Sequence, residues 1–174
     1  YGLQTNSSVG RRIIVYPSGK MSAVWTTCPD ETPFTRRGSG YNHFNGSTWF
    51  TPPVELRIEK DRAGWPNIGT FKVAGKDVEY VMAHYASSVA TDPSGGIILN
   101  INGGIGLSNW TQTFLDQASG PIWHRTAESG DYVCVISSYS DTNMYVNGMR
   151  MPNVYSRYQI STGTFLQKYI MLPG

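Results

Sequence analysis

Residues 57–66 read Arg57-Ile58-Glu59-Lys60-Asp61-Arg62-Ala63-Gly64-Trp65-Pro66. Arg57, Ile58 and Glu59 close an alternating stretch, Val54–Glu59, in which apolar and polar residues take turns as on a half-buried strand. Gly64 and Pro66 flank Trp65 and punctuate the chain, which predicts a turn. A strand pair is expected next, Asn67–Ala74 and Val78–Ala86, across Gly75-Lys76-Asp77. The junction recurs at Gly120-Pro121-Ile122-Trp123-His124-Arg125. There too a strand pair is expected after it, Trp123–Ala127 and Tyr132–Ser138 across Glu128–Asp131. Trp65 and Trp123 lie 123 − 65 = 58 positions apart. Val24, Val81 and Val135 fall mid-strand at spacings of 81 − 24 = 57 and 135 − 81 = 54. A block recurring about three times at such a period marks a repeat architecture.

Within block one, Arg12–Tyr16 and Met21–Thr27 are expected to pair across Pro17-Ser18-Gly19-Lys20, a β-turn sequence. A long loop, Cys28–Ser39, follows. Tyr41–Phe44 and Thr48–Phe50 flank Asn45-Gly46, a strong hairpin signal, and Val54–Glu59 is the expected outer strand. Block two continues with a loop at Ser87–Gly96 and strands at Ile97–Ile101 and Ser108–Phe114. Block three continues with a loop at Tyr139–Asn143, a local pairing at Met144–Val146 before Asn147-Gly148, and strands at Val154–Gln159 and Phe165–Leu172.

The fold expected is all-β. Four short antiparallel strands per block, repeated radially, make a β-propeller. A β-sandwich is the alternative, since evenly spaced short strands also fit it. The blades fall roughly at 11–60, 65–118 and 121–172 of one partial domain spanning 1–174. Three blades do not close a ring, and open sheet edges invite association. The chain is therefore expected to be part of a larger ring or to associate with copies of itself. Leu172-Pro173-Gly174 reads as one more junction.

The composition agrees with strands and turns. Nineteen Gly, ten Pro and eleven Tyr accompany only 15% charged residues. With 40% apolar residues over 174 positions, the chain can bury a core. A net charge of +2 argues for neither nucleic acid nor an anionic membrane as partner. Arg36-Arg37 reads as a solvated loop. No run approaches the ~18 apolar residues of a membrane-spanning helix. The polar start at Tyr1 carries no signal peptide and reads as a processed or truncated protein. Cys28 and Cys134 sit in separate blocks and are expected as thiols, not as a disulfide. Neither they nor His43, His84 and His124 have metal-ligand spacing, so no metal or cofactor is expected. Gly103-Gly104-Ile105-Gly106 matches a phosphate loop in composition only, with no helix after it.

Several phrases occur together: Leu3-Gln4-Thr5-Asn6, Arg12-Ile13, Ala23-Val24-Trp25-Thr26, Arg37-Gly38-Ser39-Gly40-Tyr41-Asn42, Arg57-Ile58-Glu59 and Gly64-Trp65-Pro66. In that order they resemble sialidase-like (BNR-repeat) β-propeller modules of proteins that Bacteroidota export by type IX secretion. The resemblance is strongest over residues 3–66. It implies a secreted or cell-surface location and, in the full-length protein, contact with that export machinery. The family's Asp box, Ser-x-Asp-x-Gly-x-Thr-Trp, is a structural turn whose aromatic residue packs between sheets. Here Gly46-Ser47-Thr48-Trp49 matches its second half, with Phe44 at the Asp position. Tyr158–Phe165 matches it at Thr164 and Phe165.

Sialidase chemistry would require an Arg cluster, a Tyr–Glu nucleophile pair and an Asp acid. The family's catalytic Arg phrase is missing, since Arg12-Ile13-Ile14 lacks its Pro. The resemblance therefore points to a non-catalytic binding or adhesion module, with a glycan or surface polymer as candidate partner. The alternatives are a fragment of a sialidase-like glycoside hydrolase and a passive scaffold or cargo region. The candidate ligand-binding residues are Arg62 and Trp65 at one junction and Trp123 and Arg125 at the other. Trp faces stack on sugar rings or cations, and guanidinium groups bind carboxylates. The competing reading has both Trp side chains packing between neighbouring blades.

Overall fold

The computed structural model describes residues 10–30, 34–50, 57–86, 94–118, 120–139, 145–146 and 148–173. Strands and turns account for all regular structure in them. Three antiparallel sheets follow one another along the chain. The first has β1 (Ile13–Val15), β2 (Met21–Thr27) and β3 (Gly38–Phe44), in that order. The second is β4 (Arg62–Val73), β5 (Lys76–Ala86), β6 (Ser94–Asn102) and β7 (Trp110–Ala118), again in chain order. The third places β8 (Ile122–Ser129), β9 (Tyr132–Ser138), β12 (Asn153–Gln159) and β13 (Thr164–Met171) side by side. In the chain between β9 and β12 comes a separate small hairpin of β10 (Tyr145–Val146) and β11 (Met149–Arg150).

Alternation explains how the sheets stack, because neighbouring side chains on a strand face opposite ways. In β2, Ser22, Val24 and Thr26 are buried while their neighbours are half-buried. Val24 and Tyr41 of the first sheet pack on Ile68 and Val81 of the second. The opposite face of the second sheet carries Phe71, Val78, Tyr80, Met82, Ile97, Leu99 and Leu115. These pack against Val133, Val135 and Tyr158 of the third. The middle sheet is thus covered on both faces, which is why β5 is buried almost end to end. The three valines aligned by the repeat are all core residues: Val24, Val81 and Val135 are 3%, 0% and 0% exposed.

Several boundaries differ from the sequence reading. Trp65 does not sit in a turn; β4 runs through it from Arg62. Gly64 pairs with His84 and Asn67 with Met82, so three steps on β4 face two on β5. This is a β-bulge, and Trp65 takes a left-handed φ of 51° within it. Pro66 has no N–H to offer a ladder and is tolerated at such a bulge. The β4–β5 turn is Ala74-Gly75, both at positive φ, with Lys76 already paired to Val73. Two residues with positive φ are what a tight hairpin of matching twist requires. Arg57–Glu59 is not a strand; Ile58 keeps one backbone bond, to Ser39 O at 2.8 Å. The remainder of the expected outer strand, residues 54–56, lies outside the described residues, as does Leu3-Gln4-Thr5-Asn6.

Asn45-Gly46 does make the expected turn. Asn45 Oδ1 accepts from Ser47 N and Thr48 N, and Phe44 bridges Trp49. The aromatic of this degraded Asp box behaves differently from what the resemblance implies. Trp49 is 43% exposed and leans on Phe44 of its own hairpin rather than between sheets. The equivalent Phe165 does pack against Tyr158 and the core shared by the second and third sheets. Cys28 and Cys134 are both free thiols. No helix among the described residues is long and apolar enough to cross a membrane.

Candidate functional site

The recurrence of Trp65 and Trp123 is structural as well as sequential. In β8, Ile122 pairs with Ser138 and Arg125 with Ile136, a second bulge of three steps against two. Trp123 adopts φ 55° there, almost the value of Trp65. An L-residue in this region is strained by ~1–2 kcal/mol, and a bulge re-aims the side chain it carries. Both indoles are turned to one place. Their ring centroids are 5.5 Å apart, edge to face. His84 of β5 completes the group, stacked on Trp65 at 4.8 Å and edge-on to Trp123 at 5.5 Å.

Arginines surround these rings. The Arg37 guanidinium lies 4.5 Å from the Trp65 ring centre, and its Nε donates to Ala63 O at 2.9 Å. Arg62 Nε donates to Phe34 O at 3.0 Å, and Arg125 donates to His124 O at 3.0 Å. The chain before β1 is tied to β4 by the bond from Ile68 N to Arg11 O, which brings Arg12 to the same place. Arg37 is therefore no solvated loop residue. Arg36 is one: its guanidinium is mostly exposed and pairs with Asp30 at 2.6 Å.

The electrostatics are one-sided. Burial, then His124, Arg37, Arg62 and Arg12, hold the His84 imidazole well below its usual value. Burial brings His124 down to about 4, against the bond to Met82 O, with Arg125 and Arg12 adding to the fall. Burial and then Arg125 lower Arg12 to about 10. Among the described residues no carboxylate acts on these three side chains. Several buried polar atoms here lack a hydrogen-bond partner among the described residues. They are Arg12 Nε and both terminal nitrogens, Trp65 Nε1, His84 Nδ1 and His124 Nδ1. Buried polar groups are nearly always paired, so this concentration sets the cluster apart from the rest of the interior.

Of the four residues expected from sequence, Trp65 and Trp123 are brought into contact, while Arg62 acts on His84 and Arg125 on His124 and Arg12. Arg12, Arg37 and His84 are not among the binding candidates that the sequence offers. Arg12 and Arg37 come from the first sheet's lead and loop, and no spacing within the chain links them to residue 65. His124 is satisfied at only one nitrogen: Nε2 lies 2.8 Å from Met82 O, and Nδ1 is without partner.

A second polar cluster lies between the first two sheets. Glu79 of β5 is fully buried. It accepts from Tyr16 and Tyr41 at 2.6 Å each, from Ser22 Oγ, from Asn102 at 3.0 Å and from Gly106 N at 3.1 Å. Ser22 Oγ is also 2.8 Å from His43 Nδ1. Because the single Ser22 hydroxyl proton goes to Glu79, His43 donates from Nδ1 to Ser22. Burial first, then Glu79, pushes the Tyr16 and Tyr41 phenols far above their ordinary value, away from phenolate. Among the described residues no three His, Cys, Asp or Glu side chains gather as metal ligands would. No protein-family model and no curated protein matches the chain.

Proposed function

We propose that this chain is a non-catalytic binding module, secreted or at the cell surface, built as consecutive blades of a sialidase-like β-propeller and binding a glycan at the Trp65–Trp123 cluster. The middle sheet supports the propeller over the sandwich. A two-sheet sandwich leaves each sheet one outer face, whereas here β4–β7 is covered on both. The export route rests on the resemblance of the phrases between residues 3 and 66 alone.

The observation that carries the binding reading is the convergence of Trp65, Trp123 and Arg37 at two matched bulges. Strained, matched bulges holding half-buried aromatic and cationic side chains cost stability, and such costs gather at functional sites. The hydrolase reading fares worse. Tyr16 and Tyr41 do pair with a glutamate, but Glu79 is buried and both phenols are held protonated. Glu79 and His84 are also five residues apart on β5, about 16 Å along a strand. The buried Tyr–Glu pair thus stands apart along β5 from the ring cluster at His84, which favours the binding reading.

A glycan array probed with the wild-type chain and with Trp123→Ala tests the reading. Binding of the wild type to a defined glycan set, lost in a folded Trp123→Ala variant, is the expected result. A wild-type chain that binds no glycan would reject it.

A further inference from the structure

Resting on that reading, we infer that the cluster of Arg12, Arg37, Arg62, Trp65, His84 and His124 takes a sulfate or phosphate group of its ligand, and takes up protons as it does so. The partnerless atoms decide the chemistry. Arg12 Nε and both terminal nitrogens, together with Trp65 Nε1, can only donate. What completes them must accept. A sugar hydroxyl accepts but leaves the buried guanidinium charge uncompensated, which is costly. A carboxylate compensates the Arg12 charge but offers only two acceptor oxygens to the partnerless donors of Arg12 and Trp65. A sulfate or phosphate group offers three terminal acceptor oxygens and meets an arginine fork in bidentate fashion, and a phosphate monoester also brings up to two charges.

The two histidines add the proton linkage. A carbonyl can only accept, so His124 Nε2 carries the hydrogen in its bond to Met82 O. In the neutral ring Nδ1 is then a bare acceptor. Facing an oxyanion, it gains by taking a proton and donating. His84, 6% exposed and with its Nδ1 unpaired, is placed for the same change. Among the described residues the charged groups facing His84 are His124, Arg37, Arg62 and Arg12, and those facing His124 are Arg125 and Arg12. All are cationic or able to become so, and all disfavour imidazolium until an anion is present.

Inorganic sulfate is the probe, titrated calorimetrically into the whole chain at constant ionic strength at about pH 6 and about pH 8, either side of the usual imidazole value. Sulfate keeps its charge over this range, so any pH dependence belongs to the protein. Saturable binding is expected, roughly tenfold tighter at the lower pH. Arg12→Gln should abolish it, and Arg36→Gln, at the exposed pair with Asp30, should leave it unchanged. If Arg12→Gln does not fold, the wild-type imidazole proton resonances decide: those of His84 and His124 should move with sulfate and not with chloride. No saturable heat, equal binding by a folded Arg12→Gln variant, or no tightening at low pH would overturn the inference. Sulfate binding without glycan binding would sink the glycan reading and keep this one. Glycan binding that survives Arg12→Gln and resists competition by sulfate would do the reverse.

Discussion

Glu79 and Tyr80 are consecutive in β5, are both 0% exposed, and tie the middle sheet to its two different neighbours. Glu79 gathers Tyr16, Ser22 and Tyr41 from the first sheet. The Tyr80 hydroxyl donates to Glu128 at 2.7 Å and also meets Thr126, at 3.0 Å, both on β8 of the third sheet. Pleat alternation makes this possible, since one step along a strand reverses the face.

Glu79→Gln should destabilise the chain by about 2–4 kcal/mol. The amide turns a donor toward groups that themselves donate, and bonds to a charged acceptor are the stronger kind. Tyr41→Phe removes one such bond and should cost about 1–3 kcal/mol. Urea denaturation of each variant measures both, and a loss below ~0.5 kcal/mol for Glu79→Gln would mean the network adds nothing to stability.

Trp65 and Trp123 should be energetically coupled. A double-mutant cycle of Trp65→Ala and Trp123→Ala is expected to yield about 1 kcal/mol of interaction, the usual size for an edge-to-face pair. Additive losses would show that each indole is held by its own bulge and not by the other ring.

Stability should fall on mild acidification. The folded His84 and His124 lie below the unfolded imidazole value of about 6.5, His124 at about 4. The unfolded chain therefore binds protons first, and stability that is whole above about pH 6.5 is lost as pH falls toward about 4. For His124 alone the loss is about 3 kcal/mol. His124→Gln should flatten this part of the stability–pH curve; an unchanged slope would place its origin elsewhere.

Glu59 should act in the opposite sense. It is 2% exposed, accepts from Ser39 N and Asn100, and burial raises its carboxyl above the usual range. A raised folded value means that its contribution is whole below the unfolded value of about 4.3 and declines as pH rises through the folded one. Glu59→Gln carries no such penalty, so its stability relative to wild type should rise with pH. A difference that does not change with pH would contradict this assignment.

Gly120→Ala should be poorly tolerated. A β-carbon there would overlap the Gly95 carbonyl oxygen and the Gly96 α-carbon, both backbone atoms that cannot rotate away. Overpacking of this kind costs about 1–3 kcal/mol. Gly46→Ala meets open space and bears only the strain of its φ of 104°. Thermal unfolding of the pair should therefore rank Gly120→Ala as the less stable.

Much of this protein is a local matter, and the sequence by itself determined that much. Alternation along Met21–Thr27 and Tyr132–Ser138 sets strand and face, and Asn45-Gly46 sets a turn, because each depends on residues within a few positions. The period linking Trp65 with Trp123 likewise marks two equivalent places. Only the tertiary structure decided that those places are bulges inside strands, since a bulge exists only relative to the partner strand it slips against. It alone brought Arg12 and Arg37 beside His84, and Tyr16 and Tyr41 onto Glu79. Those groupings arise from the stacking of sheets whose contacts join residues dozens of positions apart, and no spacing along the chain encodes which faces meet.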